Sequence, residues 1–399
     1  MKLNVETLEF LLLVAAIVAM VARRFRLPYS VGLVAAGLAL SLLPGLPQIE
    51  LSRELIFTVL LPPLIFEAAL YIRWQDLRKD MLVILAMASV GVLLSVCVTT
   101  LGLRYLVSWE WSSAIIFSVL IAATDPVSVI ATFKESGARG RLRFLIEAES
   151  LFNDGTAAAA FTIAVAFVSG KNLTPLGIAT TSLLTVGGGI ACGAAVAAGI
   201  LLLAGRTTDH LVETMLTTVG AYGSFLIAEH FQFSGVLATL TAGLLLGNVG
   251  PLGAVSEKGK ETITSFWEYA AFVANSLIFL LIGMNGTKEN ILLIWSTALV
   301  AIGLVMVGRA AAVYLTLLPF SHSALKVSAR HQHLLFWGGL RGALPLALVL
   351  GLPSAIPRRE ELITVTFAVV AFSVFVQGLT VVPLMRRLGE LPVSATKGR

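Results

Sequence analysis

Charge is scarce in this sequence. Only 13% of its 399 residues are Asp, Glu, Lys or Arg, against 57% hydrophobic residues, whereas about 25% charged residues is ordinary for a soluble domain. A chain this poor in charge cannot cover a water-exposed body of its size, which excludes a soluble globular fold. Cysteine is nearly absent as well. Cys97 and Cys192 both lie in apolar runs, which excludes a disulfide framework and leaves them as small buried hydrophobes. The five histidines have no metal-ligand spacing. No H-E-x-x-H and no G-x-S-x-G occurs, so neither a zinc hydrolase nor a nucleophile-elbow enzyme is expected, and no cofactor. The net charge of +5 invites a nucleic-acid reading. Its basic residues lie between apolar segments, however, where membrane topology accounts for them, and no nucleic-acid partner is expected.

What the sequence has in abundance is long apolar runs. A spanning helix needs about 20 mostly apolar residues. Thirteen such segments are found near residues 8–22, 29–46, 54–72, 81–107, 111–133, 144–169, 176–205, 211–230, 232–249, 267–285, 290–319, 332–352 and 361–385. The first is read as a mature helix, because Arg23, Arg24 and Arg26 follow its apolar run, unlike the arrangement of a secretory signal. Linkers after odd-numbered segments, with the C-terminal tail, carry 19 of the 28 Lys and Arg residues, and the opposite side carries 7. By the positive-inside rule this puts the N-terminus outside and the tail 387–399 in the cytoplasm of a multi-pass cell-membrane protein. The rest, 8–386, reads as one transmembrane domain without a soluble module.

Two segments are interrupted. The fifth holds Ala122-Ala123-Thr124-Asp125-Pro126, and the twelfth holds Gly338-Gly339-Leu340-Arg341-Gly342-Ala343-Leu344-Pro345. Proline removes a helical hydrogen bond and glycine weakens the helix. Paired broken helices, each with a charge at membrane depth, are the best sequence pointer to a transporter site. Seven segments separate them, an odd number, so a unit over 8–170 would recur inverted over 211–386, joined by a linker helix at 176–205. The expected fold is thus an all-α membrane protein of inverted six-helix repeats whose broken helices cross.

An ionisable residue inside a membrane is costly and is by default a functional candidate. The deep ones are Glu67, Asp125, Glu149, Asp154, Glu213, Glu229, Arg309 and Arg341. Acids outnumber bases, as a cation path requires. Ser150 and Asp154, four residues apart, share a helix face, and a hydroxyl with a carboxylate offers oxygens to a hard cation. Asn153 adds an amide beside them. Asp125 either caps amides freed by Pro126 or ligates an ion, and Thr124 has a backbone carbonyl freed by the same break. Glu67 follows the Pro62-Pro63 kink and either ligates an ion or reaches the interface or an arginine. Glu149, on another face from Asp154, is expected to pair with Arg341, with Arg309 a weaker structural candidate. Glu213 is assigned to the interface, and Glu229 with His230 to the outer end of the eighth segment.

Together these residues resemble a known family. Thr124-Asp125-Pro126, Glu149-Ser150-Leu151-Phe152-Asn153-Asp154-Gly155 and Gly339-Leu340-Arg341-Gly342-Ala343 are similar to signatures of the monovalent cation/proton antiporter family one, which includes the NhaP-type antiporters and the sodium/proton exchangers. Leu61-Pro62-Pro63, Phe66-Glu67-Ala68 and Ser234-Gly235-Val236-Leu237-Ala238 fit in the same order. The resemblance implies the NhaA-like antiporter fold, a homodimer, and elevator-like alternating access that exchanges Na+ (or Li+ or K+) for H+. It implies that Asp154 binds cation and proton, and that Ser150, Glu67 and the Thr124 backbone complete the ion's oxygen shell, with Asp125 acting through water. Asn153 and Asp125 would hold the site, and Glu149 and Arg341 would form a structural ion pair. One dominant carboxylate, with Asn153 in place of a second, points to electroneutral one-for-one exchange. A sodium-coupled symporter of an organic anion is the alternative on the same fold. A cation channel would need a ring of subunits.

Overall fold

The computed structural model describes residues 5–25, 27–43, 51–125, 130, 140–168, 174–250, 253–286 and 294–390. Among these residues there are fourteen helices and no strand. The first half of the chain forms α1 (Val5–Phe25), α2 (Tyr29–Ser41), α3 (Leu55–Tyr71), α4 (Trp74–Leu106), α5 (Trp111–Leu120), α6 (Arg141–Val168) and α7 (Pro175–Ala204). The second forms α8 (His210–His230), α9 (Gly235–Val249), α10 (Glu257–Gly286), α11 (Trp295–His322), α12 (Ala329–Trp337), α13 (Ala343–Leu350) and α14 (Arg359–Arg387). Eight of them, α1, α4, α6, α7, α8, α10, α11 and α14, are long and apolar enough to cross a membrane. Each of the expected apolar segments has a helical counterpart, and α12 and α13 divide the twelfth between them. Pro126, on which the expected break of the fifth segment turned, and residues 391–399 of the tail lie outside the described residues.

Local chemistry sets the boundaries. Thr174, Asp209, Ser234 and Ser328 each accept a hydrogen bond from a backbone amide of the first turn of α7, α8, α9 and α12, satisfying donors the helix leaves unpaired. The narrow gap between α8 and α9 is made by Gln232, whose φ of 61° turns the chain. In α3, Pro62 and Pro63 carry no N–H, so the carbonyls of Thr58 and Val59 lose their helical partners. The backbone widens to a π turn over Leu55–Leu60, and the Tyr222 hydroxyl donates to the Val59 carbonyl at 3.0 Å.

Two of the deep acids have structural duties. Glu213, assigned to the interface from the sequence, lies in the first turn of α8 with its side chain buried in the protein. Its carboxylate accepts from the Ser256 amide (3.0 Å) and hydroxyl (2.8 Å) just before α10, where the positive end of the helix dipole favours an anion. Glu229, at the end of α8 as expected, accepts from the Gly235 amide at 3.1 Å and so covers the start of α9.

The helices sort into two bundles by packing. α1, α2, α3, α7, α8, α9 and α10 pack chiefly on one another, and so do α4, α5, α6, α11, α12, α13 and α14. Between the bundles lies a cavity of about 510 Å3.

Candidate ion-binding site

The site begins where α5 stops. Its helical bonding ends with the Ile121 and Ala122 amides, which donate to Phe117 (3.0 Å) and Val119 (3.2 Å). Residues 123–124 are outside any helix, and the Asp125 amide donates to the Leu340 carbonyl at 2.7 Å in an antiparallel bridge. Leu340 lies in the gap between α12 and α13, so the two broken segments meet there, as the sequence predicts. The meeting requires Gly342. A β-carbon there would lie 2.5 Å from Cβ and 2.6 Å from Cγ of Asp125. The Asp125 carboxylate therefore lies against the start of α13, a helix N-terminus that favours negative charge. Gly342→Ala should force these groups apart and lower the melting temperature of the purified protein, by the equivalent of about 1–3 kcal/mol for overpacking. An unchanged melting temperature would show that the crossing is looser than its geometry.

Side chains of α6 fill the crossing. Ser150 donates a short hydrogen bond to the Thr124 carbonyl, and Thr124 Oγ1 donates to Ser150 Oγ at 3.2 Å. Asn153 Nδ2 reaches the Ala122 carbonyl (3.3 Å), Thr124 Oγ1 (3.5 Å) and Glu149 Oε1 (3.3 Å). The carbonyls freed by the break are thus held by α6, not left bare. One turn beyond Ser150, Asp154 borders the cavity, and its Oδ1 is buried without a hydrogen-bond partner. A buried acceptor without a partner is costly, and this one adjoins a space large enough for a hydrated ion.

Of the residues singled out from sequence, Glu67, Thr124, Asp125, Ser150 and Asp154 all line this cavity. Asn153, buried behind them, braces the crossing. The expected pair of Glu149 with Arg341 is corrected. Glu149 forms a two-pronged ion pair with Arg309, Nη1 to Oε1 at 2.8 Å and Nη2 to Oε2 at 3.0 Å. Arg309 Nη2 also donates to the Leu335 carbonyl (2.8 Å) in the last turn of α12, where a cation offsets the negative end of the helix dipole. Arg341 instead folds back to donate to the Gly339 carbonyl at 2.6 Å. The reason is geometric: α11 aims a full-length guanidinium across the bundle at α6, whereas Arg341 sits inside the break and serves its backbone. The lone deep base of the eleventh segment was the available sequence signal.

Other lining residues had little or no signal. Tyr29, Glu147, Glu268 and Asn275 border the cavity, with Arg23 as a basic group at its edge. Tyr29 is fixed by the Ser276 hydroxyl at 2.7 Å and by stacking on Phe272 at 5.2 Å. Glu268 stands at the start of an apolar run and is set facing inward only by the packing of α10. Away from the cavity, Arg141 clasps Asp80 (Nη2 to Oδ1, 2.6 Å) and the Leu325 carbonyl (2.8 Å), tying α4, α6 and the turn before α12 together.

A multi-pass helical membrane protein with two broken segments in contact, and carboxylates around a cavity between two bundles, has the architecture of a secondary transporter. Residues 11–387 match the family model described as sodium/hydrogen exchanger, transmembrane. The chain is 38% identical to the Na+/H+ antiporter ApNhaP of Aphanothece halophytica, over 96% of this chain and 75% of that protein. It is 33% identical to the Na+/H+ antiporter NhaH of Halobacillus dabanensis, over 96% of this chain and 98% of the relative. Its fold is similar to that of the sodium proton antiporter MjNhaP1 from Methanocaldococcus jannaschii, with a TM-score of 0.77 at 20% identity over the whole of both chains. The chain belongs to the sodium/hydrogen exchanger family.

Proposed function

We propose that this chain exchanges Na+ for H+ across the membrane at Asp154, by alternating access of one carboxylate site. The observation that carries the proposal is the unpartnered Asp154 Oδ1 at the edge of an acid-lined cavity between two bundles. Sodium/proton antiport by its relatives supports the same reading, and nothing among them favours symport of an organic anion. Glu67, Ser150 and Thr124 would share the cation with Asp154, with Asp125 assisting through water and Asn153 bracing the backbone. The Glu149–Arg309 pair is balanced and buried, which leaves Asp154 as the carboxylate free to trade one proton for one cation. Exchange is then electroneutral, one for one, with Li+ or K+ as further cargo.

The packing supports an inverted-repeat origin. Each bundle draws three of the expected apolar segments from 8–170 and three from 211–386, as two repeats joined through α7 would. The alternating Lys and Arg linkers support a cell-membrane orientation with the N-terminus outside and the C-terminus in the cytoplasm. A homodimer is part of the proposal, and cross-linking in native membranes tests it.

The test is proteoliposomes with an imposed acid-inside gradient and a pH-reporting dye, given Na+, Li+ and K+ in turn. Na+ is expected to dissipate the gradient at a rate indifferent to an imposed membrane potential. A rate that follows the potential would contradict one-for-one exchange, and no response to any cation across a wide pH range would contradict antiport. Competition for one site fixes the pH dependence. The apparent KM for Na+ should rise as pH falls, by up to about tenfold per pH unit where the proton wins the site, with the saturated rate nearly unchanged. A pH effect on the saturated rate alone would place the proton elsewhere.

A further inference from the structure

We propose that the two-residue joint Ile72–Arg73 is a pivot of the transport motion and that Asn248 is the positioning residue that holds it. The proposal rests on the exchange reading above, because a cavity between two bundles serves exchange only if the bundles move against each other. The chain passes between the bundles at three places. Residues 169–173 and 287–293 of the other two lie outside the described residues, whereas this joint is described in full. α3 packs on α9 and α10, and α4 packs on α5, α6 and α11. Between them only Ile72 (φ −72°, ψ 113°) and Arg73 (φ −79°, ψ 126°) are extended. Any rotation of one bundle against the other must be absorbed here in a few backbone torsions.

The free torsions are narrowed further. The Arg73 carbonyl accepts from the Asp76 (3.1 Å) and Leu77 (3.0 Å) amides, and its guanidinium pairs with Asp76 at 2.9 Å. Arg73 therefore travels with α4. On the other side, the Ile72 amide donates to the Ala69 carbonyl at 3.3 Å and travels with α3. What remains is ψ of Ile72 and φ of Arg73.

One side chain spans this point. Asn248 Nδ2 donates to the Ile72 carbonyl at 2.8 Å, and its Oδ1 accepts from the Trp74 amide at 2.7 Å. These are an unpaired carbonyl at the end of α3 and an unpaired amide at the start of α4, groups a helix cannot satisfy itself. Nδ2 also donates to the Leu244 carbonyl of its own helix at 2.8 Å, which fixes the head in place. An acceptor and two donors in one short planar head are what an amide supplies, and a carboxylate or an apolar side chain does not. Close packing delivers it. A β-carbon on Gly247 would lie 2.9 Å from Leu70 Cα, and one on Gly243 would lie 3.1 Å from the Phe66 carbonyl, so α9 reaches α3 only because both are glycine. Asn248 thus ties both flanks of the joint to the α3–α9 bundle, and the two torsions between them turn only as its hydrogen bonds shift.

Two variants test this in the full-length protein. Arg73→Pro fits the backbone seen, because φ is already near the proline value and Ile72 is already extended; it fixes φ of residue 73 and confines ψ of Ile72 to the extended region without removing a backbone hydrogen bond of the joint. Asn248→Leu keeps the side-chain volume and removes the anchor. In proteoliposomes, Arg73→Pro is expected to lower the maximum exchange rate about three- to tenfold while the KM for Na+ stays within about twofold, since a barrier rises and the site is untouched. Asn248→Leu is expected to speed amide hydrogen exchange at residues 72–77 by about tenfold or more and to lower the maximum rate, again at constant KM. Merely structural damage would instead lower the melting temperature and move KM and rate together. A parental rate in Arg73→Pro, or unchanged amide exchange in Asn248→Leu, overturns the proposal. If Asn248→Leu does not accumulate as folded protein, Arg73→Pro decides alone. If the parent chain shows no Na+-driven exchange, the function reading fails separately, and amide exchange still decides the joint.

Discussion

Asp154→Asn is expected to abolish Na+-driven proton movement while leaving the protein folded. Asparagine matches the carboxylate in shape, so the α6 helix and the network of Ser150, Asn153 and Thr124 keep their packing. What is lost is the charge that binds the cation and the group that takes the proton. The oxygens of Ser150 and Thr124 beside Asp154 are neutral and engaged with each other, since Ser150 donates to the Thr124 carbonyl and Thr124 to Ser150. Exchange in proteoliposomes should fall by about two orders of magnitude or more, the consequence of losing roughly 3 kcal/mol of differential stabilisation. Asp154→Glu should keep part of the activity, because the charge survives in a displaced position. An Asp154→Asn protein that exchanges within about tenfold of the parent would move the site to another carboxylate, with Glu67 and Asp125 the next candidates on the cavity wall.

Arg309→Met should be the most destabilising single change outside the cavity. Arg309 and Glu149 are each almost wholly buried, so removing the arginine strands a carboxylate whose other side-chain donor, among the described residues, is Asn153 at 3.3 Å. Breaking a buried pair from one side costs about 3–5 kcal/mol, whereas replacing both partners by neutral groups is far milder. The melting temperature in detergent should therefore fall sharply in Arg309→Met and recover substantially in the double variant Glu149→Gln/Arg309→Met. Arg341→Met should cost less, because the hydrogen bond it breaks is to one backbone carbonyl. Recovery of Arg341→Met, and not of Arg309→Met, by Glu149→Gln would restore the pairing that the sequence alone had suggested.

That pairing shows where a sequence of this kind can be read and where it cannot. The apolar runs dictate helices, since lipid leaves no other way to satisfy a single spanning segment, and the helices follow the runs closely. The breaks at Asp125 and Leu340 were legible because glycine, proline and an intramembrane charge coincide there. Asp154, Ser150 and Asn153 were legible because helical spacing places them within one turn. The partner of Glu149 was not. Two arginines lay at membrane depth, and the choice between them depends on how α11 leans on α6, a distance of 160 residues in sequence. Glu268 and Asn275 face the cavity for the same reason, through the packing of α10 against α2. Asn248 carries no signal at all in a single sequence. Its role exists only because two glycines bring α9 against the end of α3.

Competition of Na+ and H+ for Asp154 is most directly tested by proton release. Na+ is titrated into the purified, weakly buffered protein at a pH where Asp154 is protonated, with a soluble pH indicator, and Asp154→Asn serves as the control. On the order of one proton should appear per chain at saturation, as linkage between two ligands of one carboxylate requires, and none should appear from the variant. Na+ binding without proton release, or equal release from Asp154→Asn, would contradict a single shared site.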